Sequence, residues 1–272
     1  MQAQDGDRMT HWIRFERSGK SGFGQLRADL ITEFEGEMFG AAAPSGRTWR
    51  IDEVKLLPPC VPGKFICLWN NFRASAVKQG LPIPNEPLYF IKPASSLAAS
   101  GDPIRAPSTY DGKVVFEGEL GVVIGRGGRD IPLARAIEHI FGFTVVNDVT
   151  AVDLIHRDAS FAQWTRAKGC DSFGIVGPVI ATGLSPEELT VRSRLEGRER
   201  QNYPISDAIF STSEIVACIS QDMTLEPGDL IAIGTSLGVV PMRPGMTIVI
   251  EIDGIGRLVN RYMGAAAPGD KQ

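Results

Sequence analysis

The chain has 272 residues, of which 43% are hydrophobic, so it can bury a sizeable core in one large domain with or without a small appendage. Its 28 basic and 32 acidic residues are spread along the sequence and give a formal net charge of -4, which excludes the basic stripe of a nucleic-acid-binding protein. No apolar run reaches the roughly 18 residues of a membrane span, the N-terminus is polar, and the cysteines form no C-x-x-C pair, so we expect a cytoplasmic protein with free thiols and no membrane or nucleic-acid partner.

The first predicted unit is a small antiparallel β domain over residues 1–60. Between His11 and Val61, short apolar runs are separated by Gly, Ser and Pro at a spacing of roughly ten residues, which is typical of strands joined by tight turns. Pro58, Pro59 and Pro62 then stiffen the chain. We place a domain boundary there, so residues 61–272 form the second domain.

The second domain is predicted to be a β-rich α+β domain. Strand patterns occur in FICLWNNF, LYFIKP, VVFEGELGVVIG, FGFTVVNDVT and MTIVIEIDGIGRLVNRY. Helical patterns occur in PLARAIEHIF, VTAVDLIHRDASF and STSEIVACISQDM, the last with Thr212 or Ser213 available as the N-cap. Residues 73–87 carry charged and turn-forming side chains, and we expect a mobile loop there.

Two glutamates share one face of the predicted strand VVFEGELGVV. Because strand side chains alternate, Glu117 and Glu119 lie on the face of Val115 and Val123. Two carboxylates on an apolar face repel each other unless a cation lies between them, although an exposed face with two solvated glutamates is the alternative. Asp148, at the end of GFTVVND, is the third candidate ligand. Carboxylate oxygens select Mg²⁺, Mn²⁺ or Ca²⁺, whose remaining coordination positions could take the carboxylate and 2-oxo oxygens of a substrate.

Further candidate residues follow in QWTRAKGCDSF and LEPGDLIAIGTSLGVV. Lys168 is the candidate catalytic residue, because the pKa of a lysine near a metal shifts readily and suits it to carry a proton; an ordinary solvated lysine is the alternative. Gln163, Thr235 and Arg73 are candidates for substrate binding. Thr235 lies in a glycine-rich turn where the backbone can approach a ligand closely, although a simple hairpin loop fits the same pattern.

Taken in order, these stretches resemble the fumarylacetoacetate hydrolase family from about residue 56 to residue 262. The matching stretches are YFIKPASSLAASGDPI, FEGELGVVIG, FGFTVVNDVTAVDL, QWTRAKGCDSF, GPVI, MTLEPGDLIAIGTSLGV and IEIDGIGRLVN. The resemblance implies a mixed β-sandwich roll that carries the active site, a small N-terminal domain and a homodimer. It also implies that Glu117, Glu119 and Asp148 bind one divalent cation, with Mg²⁺ the expected ion, that Lys168 is the active-site lysine, and that Thr235 lies in the substrate-carboxylate loop.

Two positions depart from the family pattern. Many members carry a loop like N-Y-x-x-H-A-A-E whose His and Glu activate water, but NNFRASAVKQG places Ser75 and Lys78 there, and Ser236 replaces the proline of G-T-P-x-G. The resemblance favours hydrolysis of a C–C bond in an acylpyruvate-like 2-oxo acid, with the metal stabilising the enolate that leaves. The missing pair leaves open decarboxylation or isomerisation of a 2-oxo diacid, in which Lys168 moves the proton. His156 is the one histidine we consider as a substitute base, and a non-catalytic metabolite-binding protein is the alternative from another class.

Overall fold

The computed structural model describes residues 9–265, and most of its regular structure is β-strand. The strands are β1 (Thr10–Arg17), β2 (Lys20–Arg27), β3 (Leu30–Gly36), β4 (Ala42–Arg50), β5 (Lys55–Leu57), β6 (Phe65–Trp69), β7 (Leu88–Lys92), β8 (Leu97–Ala98), β9 (Ile104–Ala106), β10 (Val114–Val115), β11 (Gly118–Ile124), β12 (Ile140–Asp148), β13 (Thr150–Ala151), β14 (Gly174–Thr182), β15 (Thr190–Leu195), β16 (Arg198–Pro204), β17 (Leu230–Ala232), β18 (Thr247–Ile252) and β19 (Gly256–Ala265). The α-helices are α1 (Arg73–Gln79), α2 (Val152–Ile155), α3 (Trp164–Lys168) and α4 (Thr212–Asp222). With 45% strand and 18% helix, the predicted β-rich α+β fold is confirmed.

Two sheets pack face to face. The larger runs in the order β4-β3-β2-β1-β14-β12-β11-β17-β6-β7, and the smaller in the order β16-β15-β18-β19-β9. β11, β12 and β14 contact β15, β18 and β19, with the main hydrophobic core between them. A second apolar cluster covers the other face of the larger sheet, so the neighbours Val122 and Val123 belong to different clusters, as strand alternation requires. Glu119 shares the face of Val123.

The N-terminal strands form the antiparallel unit that the sequence predicts, and they continue the larger sheet. β1 to β4 pair in succession. β1 also pairs with β14, from Thr10 opposite Thr182 to Trp12 opposite Ile180. The division of the chain into domains at residue 60 stays a prediction, as do the homodimer and the cytoplasmic location. Within residues 9–265, none of the helices has the length and apolar character that a membrane span requires.

The expected loop at residues 73–87 begins with a helix. α1 contains the good helix formers Arg, Ala, Lys and Gln, and its buried Ala76 packs in the core. Gly80 ends the helix with φ at +67°, and its N–H donates to the carbonyl of Val77 at 3.2 Å. The helix has only seven residues, too few for a clear apolar period, which is why the sequence pattern did not predict it.

The other helices also differ from the predictions in extent. α4 is capped by Ser211, whose hydroxyl accepts from the N–H of Glu214 while the Glu214 carboxylate accepts from the N–H of Ser211. The predicted caps at Thr212 and Ser213 are therefore wrong by one and two residues, because the glutamate three positions after Ser211 completes a capping box. PLARAIEHIF forms a 3-10 helix, Leu133–His139, and VTAVDLIHRDASF forms only the single turn of α2 after β13.

Candidate metal centre

Three carboxylates meet where β11 begins and its neighbour β12 ends. The N–H of Asp148 donates to the carbonyl of Glu117 at 3.0 Å, which joins the ends of the two strands. Glu117 lies between β10 and β11, so the single strand predicted for this stretch is interrupted there, and Glu119 is the second residue of β11. Glu117, Glu119 and Asp148 each offer an oxygen within 4.8 Å of the others. Glu119 and Asp148 are fully buried, and Glu117 keeps 16% of its side-chain surface.

Two buried lysines lie against these carboxylates. Lys168, the last residue of α3, places Nζ 2.6 Å from Glu117 Oε2 and 2.7 Å from Asp148 Oδ2, and it also donates to the Thr150 hydroxyl at 2.7 Å. Lys92, the last residue of β7, pairs with the other carboxylate oxygen of Asp148. Lys92 is not among the site residues predicted from the sequence. Its position in the apolar run LYFIKP is the signal that could have found it, because a buried lysine is almost always paired.

Burial and charge shift the pKa values of this cluster in different directions. Burial raises the pKa of Glu117, and it raises the pKa of Glu119 well above the ordinary value. Burial also acts upward on Asp148, but Lys168 and Lys92 outweigh it and hold the pKa of that carboxyl below its ordinary value. Burial acts to lower the pKa of Lys168, but the three carboxylates outweigh it and raise that pKa. Three carboxylates facing two ammonium groups leave one negative charge uncompensated.

One carboxylate oxygen of Glu119 indicates whether the cluster can accept a cation. Its Oε2 accepts from the N–H of Gly234 at 2.8 Å, while its Oε1 is buried and has no hydrogen-bond partner among residues 9–265. A buried carboxylate oxygen without a partner is costly unless a cation or a ligand approaches it. An all-oxygen donor set with excess negative charge suits a hard divalent ion. The residues present therefore fit such an ion, which Glu117, Glu119 and Asp148 could hold.

A cavity of about 430 Å³ opens beside the carboxylates. Glu117, Thr150, Lys168 and Thr235 supply polar groups to its lining. Its apolar walls include Leu68, Trp69, Val152, Ile155, Trp164 and Leu237. The volume falls in the ~300–1,000 Å³ range of small-molecule sites, and apolar walls with a few convergent polar groups are typical of them.

Thr235 is held in position by a buried network of hydrogen bonds. The sequence did not predict this network. The Thr235 hydroxyl donates to the carbonyl of Gly118 at 2.9 Å and accepts from Gln201 Nε2 at 2.8 Å. Gln201 Oε1 accepts from the N–H of Gly118 at 3.0 Å and from the Ser193 hydroxyl at 2.8 Å. A Cβ on Gly118 would lie 2.4 Å from Ser193 Oγ, so glycine is required there. The network fixes the backbone between the two glutamates.

The other two predicted substrate-binding residues do not line this cavity. Gln163 precedes α3, and its side-chain oxygen accepts from Arg166 at 3.1 Å. Arg73 faces a separate cavity, where its guanidinium donates to the backbone carbonyls of residues 207–209. Among the three predicted residues, the structure brings only Thr235 to the carboxylate cavity.

Of the two positions of the family's water-activating pair, only Ser75 lines the cavity. Ser75 and Gln79 of α1 line the cavity, and Gln79 Nε2 donates to Ser75 Oγ at 2.8 Å. Lys78 is exposed and does not line it, whereas Ser236 does. None of the three histidines, all within the described range, lines the cavity; His156 is exposed after α2.

Comparison with known proteins extends over nearly the whole described chain. Residues 64–262 match the family model for the fumarylacetoacetate (FAA) hydrolase C-terminal domain, and residues 10–59 match an Rv2993c-like N-terminal model. The oxaloacetate tautomerase YisK of Bacillus subtilis is 39% identical over 227 residues, which cover 78% of this chain and 74% of that protein.

Solved structures agree with these matches. A 2-hydroxyhepta-2,4-diene-1,7-dioate isomerase from Mycobacterium marinum is 35% identical with a TM-score of 0.86, covering 95% of this chain and all of that one (100%). A fumarylpyruvate hydrolase from Pseudomonas aeruginosa, in complex with Mn²⁺ and pyruvate, is 31% identical with a TM-score of 0.69, covering 77% of this chain and 91% of that one. The family resemblance read from the sequence is thus confirmed, and the chain belongs to the fumarylacetoacetate hydrolase family.

Proposed function

We propose that this enzyme transfers a proton between carbon and oxygen of a 2-oxo acid, an enol–keto isomerisation that depends on a divalent cation. The observation that supports this proposal most is that a lysine able to carry a proton lines the cavity. Among residues 9–265, Lys168 is the only lining residue with an ionisable nitrogen. Its ammonium group contacts two of the candidate metal ligands. The cavity therefore contains a group that can carry a proton, as isomerisation requires. It lies at the place where hydrolysis would require a base to activate water.

Charge at the site supports an anionic substrate. Glu117, Glu119 and Asp148 would hold the ion, and a divalent ion would convert the one excess negative charge of the cluster into one excess positive charge. That excess favours the carboxylate of a 2-oxo acid. When bound, the ion would supply Lewis acidity to the 2-oxo oxygen. Thr235, held by Gln201, lines the cavity wall and could donate to the substrate carboxylate if its hydroxyl turned from the Gly118 carbonyl toward the ligand.

Lys168 can complete the proton transfer without a second residue. The carboxylates raise the pKa of Lys168 in the metal-free protein, so Nζ is protonated there. A divalent ion on these carboxylates would weaken their hold on the ammonium group, and the hydrogen that faces Asp148 could then be delivered to C3 of the enol form. The neutral amine then accepts the proton that leaves the 2-hydroxyl group, and the lysine returns to its starting state. Thr150 and Glu117 hold Nζ in place during both transfers. The same electrostatic arrangement would serve decarboxylation of a 2-oxo diacid.

Hydrolysis of a C–C bond in an acylpyruvate is the second candidate. It is favoured by the similarity to the fumarylpyruvate hydrolase, whose structure contains Mn²⁺ and pyruvate. It requires an activated water, and Ser75 and Gln79, the residues of α1 that line the cavity, carry no basic group. The oxaloacetate tautomerase and the dioate isomerase among the relatives favour the reaction without water.

The test compares proton exchange with bond cleavage. Chelator-treated protein supplied with Mg²⁺ or Mn²⁺ is given 2-oxobutanoate in D₂O, and exchange at C3 is followed by NMR. Acetylpyruvate is supplied in parallel, and its products are identified by mass. We expect rapid exchange, lost in Lys168→Ala and retained in the matched control Lys78→Ala, with slow cleavage. Cleavage faster than exchange would favour hydrolysis. If neither exchange nor cleavage occurs, the metabolite-binding alternative is favoured.

A further inference from the structure

The side of the cavity formed by α1 is polar but carries no charge. Ser75 and Gln79, one helical turn apart, face the cavity together with Asn70. Gln79 Nε2 donates to Ser75, and Asn70 Nδ2 donates to the carbonyl of Pro82 at 3.0 Å. Asn70 Oδ1 is a buried acceptor without a partner among the residues that the structure describes. This side therefore offers amide and hydroxyl groups to a ligand.

The nearest cations are engaged elsewhere. Within the described part of the chain, no arginine and no lysine other than Lys168 lines the cavity. Lys168 directs its ammonium hydrogens to Glu117, Asp148 and Thr150. Arg73 of α1 donates to backbone carbonyls in the separate cavity. A carboxylate bound against α1 would consequently have no positive partner.

Because the walls beside α1 are apolar, the lack of a cation there should disfavour a charged ligand more than a neutral one. A carboxylate that leaves water without a cation loses its hydration and gains only weak hydrogen bonds, whereas an uncharged group loses far less. The walls beside α1 contain Trp69 and Trp164, whose ring centroids lie 5.7 Å apart. We infer that the α1 side of the cavity is a subsite for an uncharged substituent, so that the enzyme selects 2-oxo acids with a neutral far end over 2-oxo acids with a second carboxylate beyond C4. The inference rests on the proposed function for the 2-oxo acid end.

The experiment compares two ligands that differ in one charge. Binding of 2-oxoadipate and of its 6-methyl ester is measured by calorimetry in the presence of Mg²⁺. Wild type should bind the ester at least tenfold more tightly. Gln79→Lys adds a cation that faces the cavity and should change the ratio of the two affinities at least tenfold in favour of 2-oxoadipate. Val77→Lys adds the same charge to the same helix at a side chain that is 78% exposed, and should change the ratio less than twofold.

The outcomes separate this inference from the proposed function. Equal or tighter binding of 2-oxoadipate by wild type would overturn the neutral subsite, and so would an equal effect of Lys at positions 77 and 79. If neither ligand binds while C3 exchange of 2-oxobutanoate proceeds, the subsite alone is refuted. If the ester binds more tightly but no 2-oxo acid undergoes exchange, the subsite is supported and the proposed reaction fails.

Discussion

Replacing Glu119 with Gln should weaken divalent-ion binding at least ~100-fold while the fold persists. The amide keeps the shape of the carboxylate and an oxygen that can accept from the N–H of Gly234. It removes the carboxylate that would carry the third negative charge of the cluster when an ion is bound. Because burial raises the pKa of Glu119, its ionised form is unfavourable in the metal-free protein, so the substitution should not weaken the metal-free fold.

The magnitude follows from the linkage between ion binding and folding. An ion that binds only the folded protein stabilises it by about 2.7 kcal/mol at 100 times its Kd. For a domain of roughly this size, ~1 kcal/mol corresponds to ~2–4 °C in Tm, so wild type should gain about 5–11 °C. Loss of a direct ligand should weaken binding at least ~100-fold, the upper effect of outer-shell changes. At the same ion concentration the variant should then gain about 0.4 kcal/mol, or ~1–2 °C.

The assay is thermal unfolding followed by circular dichroism, with chelator-treated protein titrated with Mg²⁺, Mn²⁺ and Ca²⁺. Glu16→Gln on the exposed side of β1 serves as the matched control and should respond like wild type. An equal rise in Tm for Glu119→Gln and wild type would refute the assignment of this ligand. A wild-type Tm that responds to none of the three ions would refute the metal centre itself.

The remaining predictions concern the same cluster and the turn beside it. Lys168→Ala should keep the metal-dependent rise in Tm but slow C3 exchange by at least ~100-fold, because proton transfer requires the amine and ion binding does not. Lys92→Met leaves Asp148 with one ammonium partner, so metal-free protein should lose about 3–5 kcal/mol of unfolding free energy, and Mg²⁺ should restore part of it in denaturant titrations. Gly238 has a φ of +100°, and a Cβ at this position would lie 1.8 Å from a backbone carbonyl oxygen. Gly238→Ala should therefore lower the free energy of unfolding by more than ~1 kcal/mol in the same titrations. A loss well below that value would show that the turn relaxes. In metal-free protein the raised pKa of Glu119 lowers wild-type stability as pH rises above the ordinary value of 4.5, so the advantage of Glu119→Gln in Tm should grow toward neutral pH and vanish in acid.

Local patterns were sufficient to predict most of the fold. Period-two alternation placed Glu119 and Val123 on one face of β11, and the end of an apolar run placed Asp148 at the end of β12. The short distance between the carboxylates follows from the pairing of these two strands. Their role as metal ligands stays a prediction.

The contacts that complete the site depend on long-range pairing that no local pattern contains. Lys92 and Asp148 are 56 residues apart in the chain, and Gln201 reaches Gly118 from 83 residues away. Arg73, the first residue of the predicted loop, was a candidate for substrate binding. The helix that forms there instead directs its guanidinium to carbonyl groups of another segment.

The pairing of β1 with β14 has a consequence for aggregation. β1 divides one of its edges between two partners, with Thr10 to Trp12 on β14 and Arg14 to Glu16 on β5. A chain shortened to begin after residue 60 would leave the outer edge of β14 with unpaired N–H and C=O groups from Ile180 to Thr182. Such an edge is a template for strands of other molecules. The N-terminal strands therefore protect the larger sheet against edge-to-edge association, one strand away from the strand that carries Asp148.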